Sequence, residues 1–161
     1  MFVLLALTDP ISLLLNYIFR INSYYTFLIY SSIMLSLSFY YRKKISKFIL
    51  LIVLLFTIVG IVLSTDYLKF FILGFNALVL INFVTIMLFN SFKEQKINYF
   101  YIVLVLYQLT VTLKFLIIIL NVNTGPYFYF ITTAFEILIG IYFIFFNNIN
   151  SPSIRLVPVE N

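Results

Sequence analysis

The chain has 161 residues, 64% of them hydrophobic and 9% charged, with a mean hydropathy of +1.15 and a net charge of +5. In a water-soluble domain about a quarter of the residues are charged, so this apolar load points to lipid as the solvent. The positive balance then belongs to membrane-flanking loops rather than to a nucleic-acid-binding face. Cys and His are both absent, which leaves no thiolate or imidazole for an iron–sulfur cluster, haem or zinc, no disulfide and no Ser/His or Cys/His nucleophile.

Six apolar segments follow in chain order. The first, 2–19, is interrupted by Asp9-Pro10. Thr8 or Asp9 would cap a helix that starts at Pro10 and is short of the roughly 20 residues a span needs. The second, 24–41, ends on Arg42-Lys43-Lys44-Ile45-Ser46-Lys47, the densest charge in the chain. The third, 48–64, is aliphatic apart from Thr57 and Gly60, and Ser64-Thr65-Asp66 makes a polar turn with an N-cap.

The fourth segment, 67–90, carries Gly74, Asn76, Asn82 and Thr85. Buried Asn in lipid hydrogen-bonds a neighbouring helix; the sharper alternative is a π-bulged or broken helix lining a water path, with Asn82 and Thr85 on its polar face. After the loop 91–98, with Lys93, Glu94 and Lys96, the fifth segment runs over 99–120 and contains Gln108, Thr110, Thr112 and Lys114. Residues 121–126, Asn-Val-Asn-Thr-Gly-Pro, form a turn. The sixth, 127–146, holds Glu136, and a polar tail follows. Backbone satisfaction in lipid requires helices, and no alternating barrel pattern is present. The expected fold is all-α: one polytopic transmembrane bundle of five to six helices.

Charge sets the expected topology. Arg42, Lys43, Lys44, Lys47, Lys93, Lys96 and Arg155 fall on one side, Arg20, Lys69 and Asp66 on the other. The positive-inside rule places the first group, and the C-terminal tail, on the cytoplasmic or matrix side. The first residues lack a basic n-region and an Arg-rich amphipathic pattern, so neither a signal nor a transit peptide is expected.

Glu136 lies roughly 14 Å into its segment by helical rise, near the middle of a hydrocarbon core about 30 Å thick. An ionisable group at that depth is a functional candidate. The fifth and sixth segments run antiparallel across a short turn, so their depths compare directly. Glu136 then falls between Lys114 and Gln108, and is expected to interact with one of them, directly or through water. A proton-carrying site needs this balance between burial, which favours a neutral carboxyl, and an ammonium, which favours the charged one. Lys114 by itself could instead snorkel, and a Lys114–Glu136 pair could be a static tie between helices. Thr110 shares a helix face with Lys114, and Thr112 with Gln108.

The stretch Thr133-Ala134-Phe135-Glu136-Ile137-Leu138-Ile139-Gly140-Ile141 resembles the last helix of chain 4L of respiratory complex I, the proton-pumping NADH–ubiquinone oxidoreductase. The likeness covers about the last 90 residues and makes 67–147 a three-helix unit, 1–66 an N-terminal extension and 148–161 a tail. It implies a membrane-arm subunit that catalyses nothing alone, binds no cofactor itself, packs against other respiratory-complex subunits and helps protons move through Glu136. The family's middle helix carries a second glutamate; Gln108 stands near that place. Phe75 to Leu88 is similar to the π-bulged third helix of chain 6 of the same complex. A lineage-specific structural subunit of a respiratory or ATP-synthase assembly and a free-standing transporter are the readings from other classes. The abundance of Phe, Tyr, Ile, Asn and Lys follows A/T-rich codons and suits a protein encoded in an organelle. The expected location is therefore the mitochondrial inner membrane, or a bacterial plasma membrane.

Overall fold

A computed structural model describes residues 14, 17–18, 20, 22–41, 47–62 and 64–155. These form five helices: α1 (Ser23–Tyr41), α2 (Lys47–Val62), α3 (Thr65–Glu94), α4 (Tyr99–Ile119) and α5 (Gly125–Phe145). A two-stranded antiparallel ribbon adds β1 (Lys96–Asn98) and β2 (Ser153–Arg155). The helices match the second to sixth apolar segments. Nearly all of the first segment, the loop cations Arg42, Lys43 and Lys44, and the last six residues lie outside the described residues.

α3 is the centre of the bundle. Leu68, Ile72, Phe75, Val79, Phe83 and Ile86 form a buried stripe along it, spaced three or four apart as a helix face requires. Of its most apolar stretch, 39% is buried, against 22% for α4 and 12% for α5, which makes α5 the outermost of the three. These three helices are long and apolar enough to cross a membrane; α2 is apolar but shorter. The helix α3 is α-helical from end to end, so the bulge or break considered for it is not there. Its apolar side chains pack at regular spacing and leave no turn to loosen. Ser64 takes the N-cap position in extended backbone, but its hydroxyl caps nothing.

α1 and α3 run parallel, in step along their length. The Lys69 ammonium sits 5.4 Å from the centre of the Tyr24 ring, Asn76 bonds Ser31, and Asn82 bonds Ser38. The connecting helix α2 packs on the outside through Val53 and Gly60, while Leu51, Leu54, Ile58 and Val62 are exposed. At Gly60 a Cβ would stand 2.9 Å from a Leu28 methyl, so α2 comes this close only because no side chain is present. Replacing Gly60 with Ala should change stability by less than about 1 kcal/mol, because improved helix propensity offsets a small shift of Leu28. Gly60→Leu should cost about 2 kcal/mol through overpacking. Unfolding midpoints of the two variants check this; an unchanged midpoint for Gly60→Leu would contradict the contact.

The ends of α3, α4 and α5 meet at the ribbon. Gln95 closes α3 in the left-handed conformation, φ 53°, and turns the chain into β1. Asn98 caps α4, its Oδ1 accepting from the Phe100 amide at 2.9 Å, and its Nδ2 donates to the Asn148 carbonyl at 2.9 Å. The Tyr99 amide donates to the Pro152 carbonyl at 3.0 Å. The polar tail is thus partly structured, which its short strands gave no periodicity to announce.

Candidate functional site

The helices α4 and α5 form an antiparallel hairpin. Its turn uses Asn121 at φ 51° and Gly125 at φ 67°, and Pro126 sits in the first turn of α5, where no amide donor is needed. Far from that turn, the Phe100 and Phe143 rings meet edge to face at 5.5 Å. Lys114 lies nearer the turn than Glu136. Helical side chains lean towards the N-terminus of their own helix, so in an antiparallel pair these two lean towards each other. The Lys114 Nζ donates to the Glu136 Oε2 at 2.7 Å, with the side chains 16% and 12% exposed.

The same seam holds a groove of about 190 Å³ lined by Thr110, Leu113, Phe128, Ile131, Thr132 and Phe135. Thr110 is one turn from Lys114, and Thr132 one turn from Glu136. Their hydroxyls donate to the Leu106 and Phe128 carbonyls, at 3.0 and 2.9 Å.

Gln108 belongs elsewhere. It is buried and donates to the Asn76 Oδ1 at 2.9 Å and to the Asn76 carbonyl at 3.2 Å. The Asn76 Nδ2 in turn donates to the Ser31 Oγ at 2.9 Å and to the Ile72 carbonyl at 2.8 Å. Thr112 joins through the Gln108 carbonyl at 2.8 Å. One polar chain therefore crosses α1, α3 and α4. A second link runs from the Asn82 Nδ2 to the Ser38 Oγ at 3.0 Å. Thr85 donates to its own helix, at the Ile81 carbonyl.

Of the alternatives for Glu136, the geometry pairs it with Lys114, while Gln108 joins α4 to α3. Asn76 and Asn82 each bond α1. Ser31 and Ser38 were not singled out from sequence. Their seven-residue spacing places them on one helix face, opposite the similarly spaced Asn76 and Asn82. Open space surrounds a Cβ placed at Gly140, so nothing within the described fold requires glycine there.

Chemically the two clusters differ. The carboxylate–ammonium pair can exchange a proton; the amides of Asn76, Asn82 and Gln108 donate and accept hydrogen bonds but do not titrate. Among the described residues no group of carboxylates gathers that could hold a metal ion. No family model, curated protein or solved structure matches the chain.

Proposed function

We propose that the chain is a polytopic membrane protein of an energy-converting respiratory assembly, and that its Lys114–Glu136 pair takes part in moving protons within the bilayer. The membrane part of this reading is supported by the outward faces of the helices. Phe130, Ile131, Ile137, Leu138 and Ile144 on α5 are exposed, as are Leu51, Leu54 and Ile58 on α2. Water would penalise such surfaces, whereas lipid tails accept them. The ribbon brings the Lys93–Lys96 loop and Arg155 to one end of the molecule, in keeping with a single basic side facing the matrix or cytoplasm.

The observation that carries the functional part is the largely buried 2.7 Å contact between Lys114 and Glu136. An ion pair inside an apolar hairpin costs desolvation that a hydrophobic pair would avoid, and intramembrane ionisable groups mark ion or proton pathways by default. Taken with the resemblance around Glu136 to Gly140, the specific reading is a small membrane-arm subunit of proton-pumping NADH–ubiquinone oxidoreductase, similar to chain 4L, in the mitochondrial inner membrane. It contributes no redox centre; its partners are the neighbouring membrane subunits.

A structural subunit is the second reading. It is favoured by the amide chain from Gln108 to Ser31, which joins helices without any titratable group. Glu136→Gln in the native assembly separates the two. The proton-handling role predicts normal assembly with proton pumping reduced roughly tenfold. Unchanged pumping in a fully assembled complex would overturn it. Lost assembly would favour the structural role. Failure to co-purify with any redox complex would remove the respiratory assignment.

A further inference from the structure

We propose that the β1–β2 ribbon is a binding site for the phosphate of an anionic phospholipid headgroup, held between Lys96 and Arg155. These residues are direct partners in the antiparallel register, so their side chains leave the same face with Cβ atoms about 5 Å apart. Like charges so placed destabilise a strand pair. Among the described residues neither cation has a carboxylate within ion-pair distance, and Glu94, nearby in sequence, does not supply one.

The ribbon is also held against splaying. Ile97 pairs with Ile154 and Asn98 with Ser153. The Tyr99 amide bonds the Pro152 carbonyl at 3.0 Å, the Asn98 side chain bonds the Asn148 carbonyl at 2.9 Å, and the Tyr142 and Ser151 hydroxyls share a bond of 2.6 Å. Two cations whose backbones are held side by side match one phosphate group. The opposite face carries Ile97 and Ile154, and Ile154 remains 50% exposed, so the ribbon has an apolar and a cationic side. It follows the C-terminal ends of α3 and α5. On the membrane reading, on which this proposal rests, that is the level of lipid headgroups. A juxtamembrane cation gains roughly 1 kcal/mol at an anionic surface, a factor of about five in affinity.

The test uses the full chain purified in phosphatidylcholine bicelles, with phosphatidylglycerol titrated in and the thermal midpoint followed by circular dichroism. The midpoint should rise with phosphatidylglycerol. Arg155→Gln and Lys96→Gln should each weaken the titration about fivefold. Lys47→Gln, which removes the same charge on the same side at the start of α2, should weaken it clearly less; equal weakening would reduce the effect to general surface charge and overturn the proposal. Arg155→Glu should melt higher than the parent in phosphatidylcholine alone, because opposite charges now face across the ribbon, yet lose the phosphatidylglycerol response. A parent-like titration for Arg155→Gln overturns the proposal. So does an equal rise with inorganic phosphate at the same concentration, which would assign the cations to a free anion. So does a normal lipid response joined to loss of a neighbouring subunit from the native assembly, which would assign them to an acidic protein surface. Release of the chain from native membranes by alkaline carbonate would instead overturn the membrane reading underneath.

Discussion

Lys114→Leu should destabilise the folded chain by about 3 kcal/mol, and Lys114→Leu combined with Glu136→Leu should recover most of that loss. The single change leaves a largely buried carboxylate on the α4–α5 seam without the ammonium that now stands 2.7 Å from it. The groove on the same seam, lined by Leu113 and Phe135 among others, is largely apolar. The double change removes both charges and fills the seam with aliphatic volume, the situation in which a buried pair can be replaced at little cost. Glu136→Leu alone should cost less than Lys114→Leu. The freed ammonium rides on a long flexible stem and can seek water, whereas a short carboxylate cannot. Reversible unfolding in mixed micelles would give the full double-mutant cycle. Additive single effects would show that the two groups are not energetically coupled, and would remove the pair as the basis of the functional proposal.

Asn76→Ala is expected to cost about 3 kcal/mol, the largest effect of any uncharged substitution considered. An interhelical hydrogen bond in a membrane contributes about 0.6 kcal/mol on average and up to about 1.7. Asn76 takes part in such bonds with both Ser31 and Gln108. Its removal also strips the buried Gln108 amide of its shorter acceptor, and a buried donor left wanting costs about 1–3 kcal/mol. Thr85→Ala on the same helix is the control. Its hydroxyl bonds only the carbonyl four residues back, so the expected change is within about 0.5 kcal/mol. Equal effects at the two positions would mean that the chain through α1, α3 and α4 does not hold the bundle together.

The helices themselves were legible because their boundaries are written in chemistry that works locally. Asn121 to Pro126 contains the residues that tolerate left-handed backbone and start a helix, and the structure uses Asn121, Gly125 and Pro126 in that way. The proximity of Lys114 to Glu136 was legible for a related reason: a short turn fixes the depth of one helix against the next. Depth does not fix rotation, however. Gln108 is at a suitable depth to meet Glu136 and instead turns to α3, where Asn76 offers both an acceptor oxygen and a carbonyl. Ser31 and Ser38 were hidden because their partners lie on α3, beyond the intervening α2. No reading of adjacent segments discloses that α1, besides touching its neighbour, packs in parallel on the next helix but one. The ribbon escaped because three-residue strands are too short for a pattern of alternation to register.

That ribbon also imposes an order on biogenesis. A nascent chain can bring α1, α2 and α3 together as soon as they leave the ribosome, since Ser31, Ser38, Asn76 and Asn82 all precede α4. The clasp on the α4–α5 hairpin must wait, because β1 is made before α4 but its partner strand follows α5. During that interval the far end of the outermost helix is held by side-chain packing alone, Phe143 against Phe100 among it. Docking of Ser153–Arg155 therefore comes last, and adds backbone hydrogen bonds to a bundle whose helices have already met.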